Sequence, residues 1–227
     1  VQRDLLRLVE DVRDTALRLR MTPIGEVFSR FPRVVRDVAK ELGKDIELKI
    51  SGAEAELDKS MIEKIGDPLM HLVRNSMDHG IESPERRAAT GKQVRGTVSL
   101  NAFHESGSIV IEVADDGGGL NAERIFQKAV EKGLVSADAT LTPADIYRLI
   151  LEPGFSTAEA ITNLSGRGVG MDVVKSNVEA LRGTLDIEST PGQGTTMRIC
   201  LPLTLAIIDG FTVGVGHLTF ILPFDLV

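Results

Sequence analysis

Four polar residues near the middle of the chain have the types and spacing of a working site. Asn75 lies four residues after His71, and Asp78 and His79 follow it by three and four. On a helix such spacings place side chains on one face, one above another. Imidazoles accept, donate or carry charge, an amide oxygen can ligate a hard cation, and a carboxylate can orient either. Such groups are costly to bury without partners. A solvated helix edge carries the same residue types with no chemistry, so the stripe alone does not separate the two readings.

Three glycine-rich stretches bear on the choice. Asp115-Asp116-Gly117-Gly118-Gly119 follows an apolar run that reads as a strand. A carboxylate at a strand end can accept from an exocyclic amino group, and glycines let backbone approach a flat base; a plain Asp-Gly turn is the simpler alternative. Gly166-Arg167-Gly168-Val169-Gly170 precedes a helix starting at Met171. Glycines before a helix N-terminus expose amides to an anion, and the helix dipole favours phosphate there. The spacing is not that of a dinucleotide fingerprint, and the surroundings are antiparallel. Gly192-Gln193-Gly194-Thr195 is also what a hairpin turn requires.

The elements that must position these residues are legible from periodicity. Ile62, Ile65, Leu69, Leu72, Val73 and Met77 recur at helical spacing from about Asp58, so the polar stripe rides on an amphipathic helix. Helical patterns precede it at 24–31 and 34–42, and 45–50 alternates as a half-buried strand. Ser83-Pro84 opens a short helix ending at Gly91. Strands are expected over 97–104 and 108–114, helices from Asn121 to Gly133 and from Thr142-Pro143 to about Glu152, and a long loop over 153–170. A helix to about Leu181 and a hairpin of 184–189 with 195–201 complete the pattern, and short strands near 214–216 and 220–222 begin something new. The order indicates an α+β layer structure. A helix over 1–21, striped by Leu5, Leu8, Val12 and Leu19, reads as the remainder of a dimerisation bundle or as a helix packed on its own domain.

Composition limits the function classes. The 227 residues are 42% hydrophobic and 26% charged with a net charge of -7, and no basic stripe interleaved with aromatics is present, which argues against a nucleic-acid surface. A single cysteine, Cys200, excludes a disulfide framework and a cysteine metal cluster and favours a reducing compartment. The apolar run 199–208 is interrupted by Pro202 and is too short to span a bilayer, and the charged N-terminal sequence is not a signal peptide. The expectation is a soluble, cytoplasmic protein without membrane insertion.

In order, an Asn-bearing helix, DxGxG, a glycine-phosphate loop and GxGT resemble the GHKL class of ATP-binding folds, which includes histidine kinases, gyrase, Hsp90 and MutL. The chain is most similar to the catalytic core of CheA-type chemotaxis histidine kinases. The segments that carry this are HLVRNSMDHGIE (71–82), VADDGGGL (113–120), PGFST (153–157), SGRGVGMDVVK (165–175) and GQGTTMRICLPLTLAI (192–207). The resemblance implies a two-layer α/β sandwich of the Bergerat type, its mixed, mostly antiparallel sheet carrying helices on one face, preceded by a truncated dimerisation helix. It also implies three parts: the end of a helical dimerisation domain and linker (1–25), an ATP-binding kinase domain (26–204), and the truncated start of a CheW-like regulatory domain (205–227).

By the same resemblance Asn75 coordinates Mg²⁺ on the ATP phosphates, an amide oxygen being a hard ligand of the kind this ion accepts. Asp115 accepts the adenine amino group, with Gly117 and Gly119 allowing the base to approach. Gly166, Gly168 and Gly170, with Val169 and Met171, present the phosphate loop, and Thr195 or Thr196 contacts the adenine side directly or through water. His71, Arg74, His79, Arg124 and Lys128 line the phosphate region and neutralise charge during transfer, with His71, Asn75 and His79 as the catalytic set. Asp78 orients His79 or a metal-bound water. For Arg124 and Lys128, two solvated helix cations are the competing interpretation. Ser156 and Thr157 begin a lid over about 153–165 whose closure excludes water.

Gyrase-like ATPases carry a water-activating Glu four residues before the metal-binding Asn; here that position is His71. The resemblance therefore favours transfer to a protein over hydrolysis. The accepting histidine in this family lies on a separate phosphotransfer domain supplied in trans, and none of the four histidines here replaces it. The implied assembly is a homodimeric parent kinase working with a CheW-like adaptor, chemoreceptors and response regulators. An ATPase without an acceptor, or a non-catalytic nucleotide sensor, is the second class.

Overall fold

The computed structural model describes residues 20–155 and 170–203, together with the backbone of 210–215 and 218–223. The apolar stripe of the central helix is what the rest packs on. Ile65, Leu69, Leu72, Val73 and Met77 are completely buried, and Ile62 nearly so.

In chain order the elements begin with β1 (Met21–Pro23), α1 (Gly25–Phe28), α2 (Phe31–Leu42), β2 (Ile46–Ser51) and β3 (Glu56–Asp58). Next come the central helix α3 (Lys59–Asn75), a π-turn (Ser76–Gly80) and the short α4 (Pro84–Ala89). The hairpin β4 (Gly96–Glu105) and β5 (Ser108–Asp115) is followed by α5 (Ala122–Glu131), α6 (Pro143–Arg148) and a 3₁₀ turn (Leu149–Leu151). Helix α7 (Met171–Ala180) leads into β6 (Thr184–Thr190) and β7 (Gly194–Pro202), and β8 (Gly210–Val215) pairs antiparallel with β9 (Leu218–Pro223).

Five strands form the main sheet in the order β2-β4-β5-β7-β6. All pairs are antiparallel except β2 with β4, which run parallel. A parallel pair needs a long crossover, and α3 lies within it. The mixed, mostly antiparallel sheet of the α+β reading is therefore correct. Alternation along the strands sends Val98, Leu100, Ile109, Ile111, Val113, Ile199 and Leu201 into one core with Leu69, Leu72, Val174 and Val178 of the helices. The opposite face carries a polar row across neighbouring strands, with Arg198 donating to Glu112 at 2.7 Å.

Two features differ from the periodicity. Residues 21–23, placed by pattern at a helix end and linker, form a strand paired with β3, Met21 opposite Asp58. This ribbon sets the start of α3, because Asp58 caps it by accepting from the Ser60 N–H at 2.8 Å. Burial would raise the Asp58 carboxyl, but the Ser60 hydrogen bonds and the Arg20 charge outweigh it and hold it below its ordinary range. At the other end, α3 does not continue as an α-helix to Gly80. The Ile81 N–H reaches the Ser76 carbonyl at 2.8 Å, an i→i+5 bond that widens the last turn. Lys44, in the loop after α2, closes this turn by donating to the carbonyls of Met77, Asp78 and Ile81 at 2.8, 2.7 and 2.7 Å. Burial lowers the Lys44 pKa, with Asp78 and Glu82 opposing.

Candidate functional site

The end of β5 and the π-turn meet at Asp115. Its Oδ1 accepts from the Gly117 N–H at 3.0 Å, and the Ser76 hydroxyl and Thr195 N–H also reach the carboxylate. Burial raises the Asp115 pKa; those donors oppose the rise, and neighbouring Asp116 adds to it. Backbone crowds the site. A Cβ on Gly117 would lie 2.0 Å from the Gly80 carbonyl oxygen, so no larger residue fits there. Gly119 has φ +70°, and its Cβ would lie 2.4 Å from the Thr190 carbonyl oxygen. The turn between β6 and β7 seals this side, with the Gly192 N–H donating to Gly118 O at 2.8 Å. The GQGT stretch is therefore both a hairpin turn and a wall of the Asp115 loop.

Asn75 ends α3, one residue before the Ser76 that touches Asp115. Its Nδ2 contacts the Sδ of Met171 at 3.1 Å, so its amide nitrogen is engaged and its oxygen is the group it can offer a ligand. Met171 is the first residue of α7, with Gly170 as N-cap, as the glycine pattern predicts. His71 is half-buried, and burial first, then the charges of Arg74 and His79, lower its pKa below 6.5. Its surroundings therefore favour the neutral imidazole. His79 Nε2 lies 3.8 Å from Asp78 Oδ2, with side chains 78% and 43% exposed, an open pair rather than a locked one. Arg74 leans toward Glu41 of α2 at 4.0 Å.

Arg124 and Lys128 stand on α5, whose start is capped by Asn121. They line an open cleft of about 660 Å³ with Leu120, Ile125 and Phe155. Lys128 Nζ sits 5.2 Å from the centre of the Phe155 ring. The cleft touches the Asp115 loop at Gly119 but is not lined by His71, Asn75 or Asp115. The hydrogen bonds around Asp115, not the volume of this cleft, therefore locate the site. Thr195 and Thr196 are separated by strand alternation. Thr195 is buried beside Asp115, its register partner, whereas Thr196 lies on the face that carries Arg198 and Cys200. The expectation for Thr196 thus meets an unfavourable placement. Ser156, Thr157, Gly166, Gly168 and Val169 lie outside the described residues.

Several participants escape sequence reasoning. Ser76 continues the buried face of α3, four residues after Leu72, but nothing local to the sequence pairs its hydroxyl with Asp115. Lys44 is thirty-odd residues from the carbonyls it holds. Buried Arg87 joins Glu82, Lys92 and Asp116 in an ion cluster behind the loop. The HGIE stretch points to Glu82, but nothing in the spacing marks Arg87 as buried.

A family model for the histidine kinase-, DNA gyrase B- and HSP90-like ATPases matches residues 64–205. The chain belongs to that family. Within it the chain is 54% identical over 223 residues to the chemotaxis protein CheA of Salmonella typhimurium, covering 98% of this chain and 33% of that protein. It is 49% identical over 221 residues to the chemotaxis protein CheA of Bacillus subtilis, covering 96% and 33%. It is 50% identical over 219 residues to the sensor histidine kinase CheAY of Helicobacter pylori, covering 96% and 27%. The chain thus spans about a third or less of the curated relatives it matches. Among solved structures, the catalytic domain of the histidine kinase ThkA is similar in fold, with a TM-score of 0.50 and 14% identity, covering 80% of this chain and 93% of that one. No helix among the described residues is long and apolar enough to cross a membrane.

Proposed function

We propose that this chain is the ATP-binding catalytic core of a chemotaxis-type histidine kinase. It binds Mg-ATP and passes the γ-phosphoryl group to a histidine on a phosphotransfer domain supplied in trans, for relay to a response regulator. The observation that carries this is the Asp115 carboxylate, held by Gly117, Ser76 and Thr195 one residue from the Asn75 end of α3. A carboxylate fixed at a glycine-lined strand end is complementary to the adenine amino group.

Asn75 would hold Mg²⁺ through its amide oxygen beside phosphate oxygens, and the ion would supply charge neutralisation there. Among the described residues no three His, Cys, Asp or Glu side chains form a metal group of their own, so the remaining ligands would come from nucleotide and water. In the transfer, the bond from the γ-phosphorus to the β,γ-bridging oxygen breaks and a nitrogen–phosphorus bond to the acceptor histidine forms, with ADP leaving. His71 donates a ring N–H hydrogen bond to a phosphate oxygen. His79 and Arg74 supply positive or polarised N–H groups, and Arg124 and Lys128 approach from α5. The phosphate-loop glycines and the lid that starts at Ser156 and Thr157 complete this reading, as do a parent homodimer, a regulatory domain from about 205, and CheW-like and receptor partners.

The test supplies Mg-ATP and a phosphotransfer domain to the purified chain and follows acid-labile phosphate on the acceptor. Asn75→Ala and Asp115→Ala should each abolish it. Steady phosphate release without labelling of the acceptor would replace the kinase with an ATPase.

A further inference from the structure

Arg87, on the last turn of α4, is only 2% exposed, and all five of its N–H donors have acceptors. Nε donates to Gln93 O at 2.7 Å, Nη1 to Glu82 Oε2 at 3.1 Å and Asp116 O at 3.2 Å, and Nη2 to Asp116 Oδ2 at 3.0 Å and Arg95 O at 3.4 Å. Lys92 Nζ adds Glu82 Oε1 at 2.8 Å, Asp116 O at 3.0 Å and Gly117 O at 2.7 Å. The second oxygen of Asp116 accepts from the Thr97 N–H at 2.9 Å. Two cations face two carboxylates, so the cluster is charge-balanced. Its effect on the site is one of geometry.

That geometry converges on one peptide unit. The Asp116 carbonyl accepts from both Arg87 and Lys92, and the N–H of the same planar peptide, on Gly117, donates to Asp115 Oδ1. Fixing the oxygen side of a rigid plane fixes the direction of its N–H. Two cations on the carbonyl also polarise the peptide and strengthen the donor. We infer that Arg87 and Lys92 are positioning residues that aim the Asp115 carboxylate and so set which nucleotide base the site selects. The inference rests on the reading of Asp115 as the acceptor of the base's amino group.

Inosine triphosphate replaces that amino group with a carbonyl and leaves the triphosphate unchanged. The test measures dissociation constants for ATP and ITP, with Mg²⁺, for the chain and its Lys92→Met, Lys92→Arg, Arg87→Lys and Asp115→Asn variants. Wild type should prefer ATP by about tenfold or more, the scale of one hydrogen bond to a charged acceptor, and Asp115→Asn should erase the preference. Lys92→Met should cut the ratio by about threefold to tenfold, mostly through ATP, with Lys92→Arg restoring it; Arg87→Lys should cut it at least as far. A general loss of folded protein weakens both nucleotides together and leaves the ratio unmoved, so a variant that only destabilises is recognised. A normal ratio in Lys92→Met and Arg87→Lys, with Asp115→Asn still erasing it, overturns the positioning role and leaves the base assignment standing. A wild-type ratio near one overturns the base assignment and the inference with it.

Discussion

The two ends of the site are built differently. At Asp115 a half-buried carboxylate accepts from the Gly117 N–H, with Ser76 and Thr195 beside it, backbone on several sides and the Arg87 ion cluster behind it. At the proposed phosphate end, His79 and Asp78 are largely open to solvent, Arg74 leans toward Glu41, and the cations of α5 line a separate open cleft. A flat base of fixed shape rewards a rigid receptor, because a small displacement costs a directional hydrogen bond. A triphosphate carries its charge on many oxygens and is satisfied by long side chains that arrive with it.

The contrast predicts unequal responses to mutation. The largest effects belong at the junction of the two ends. Asp115→Ala should weaken ATP binding by about a hundredfold or more, because a well-placed bond to a charged group and its surrounding order are lost together; titration calorimetry reads this, and a change below threefold would break the comparison. Gly119→Ala comes next. It puts a Cβ into Thr190 at a left-handed backbone position, and should lower stability by about 1–3 kcal/mol in denaturant melts while weakening ATP.

The Asp115 carboxyl has a further signature. Because burial raises its pKa, it protonates at higher pH than an exposed aspartate, and protonation weakens the acceptor by removing its charge. ATP affinity should therefore fall on acidification sooner than for an ordinary carboxylate, and Asp115→Asn should lack this limb. Stability without nucleotide runs the other way. A raised carboxyl contributes stability fully below its unfolded value near 3.9, and that contribution is lost as pH rises through the folded value. At neutral pH Asp115→Asn should accordingly melt higher than wild type, by about 2–4 °C per kcal/mol in a domain of this size. The smallest effects are expected at the open end. Arg124→Ala and Lys128→Ala should each weaken ATP by only about twofold to tenfold, fading at high salt. No loss at low salt would make them the solvated helix cations that their sequence context also allows.

Much of the frame is legible in the sequence because it repeats. The buried stripe from Ile62 to Met77, the caps at Ser83, Asn121 and Thr142, and the β4–β5 and β6–β7 hairpins all follow from local periodicity and turn chemistry. Asp115 and Asn75 are legible as a pair through family likeness more than through spacing. What is lost is long-range or depends on one residue of phase. Arg87 resembles any helix arginine until five acceptors from four residues surround it. Lys44 is an unremarkable loop lysine by type. Thr195 and Thr196 are indistinguishable until the pleat assigns one to each face. The β1–β3 ribbon joins two three-residue pieces, too short for alternation to register.

The wide turn at Ser76–Gly80 makes the site depend on chain length as well as on residue identity. One residue spans roughly 100° of helical rotation, so removing a single position between Ser76 and Ile81 would let the ordinary i→i+4 ladder run on. Gly80 would then swing off the Asp115 loop whichever position was lost. Shortening or lengthening that segment by one residue should therefore disturb the site more than exchanging a side chain along it.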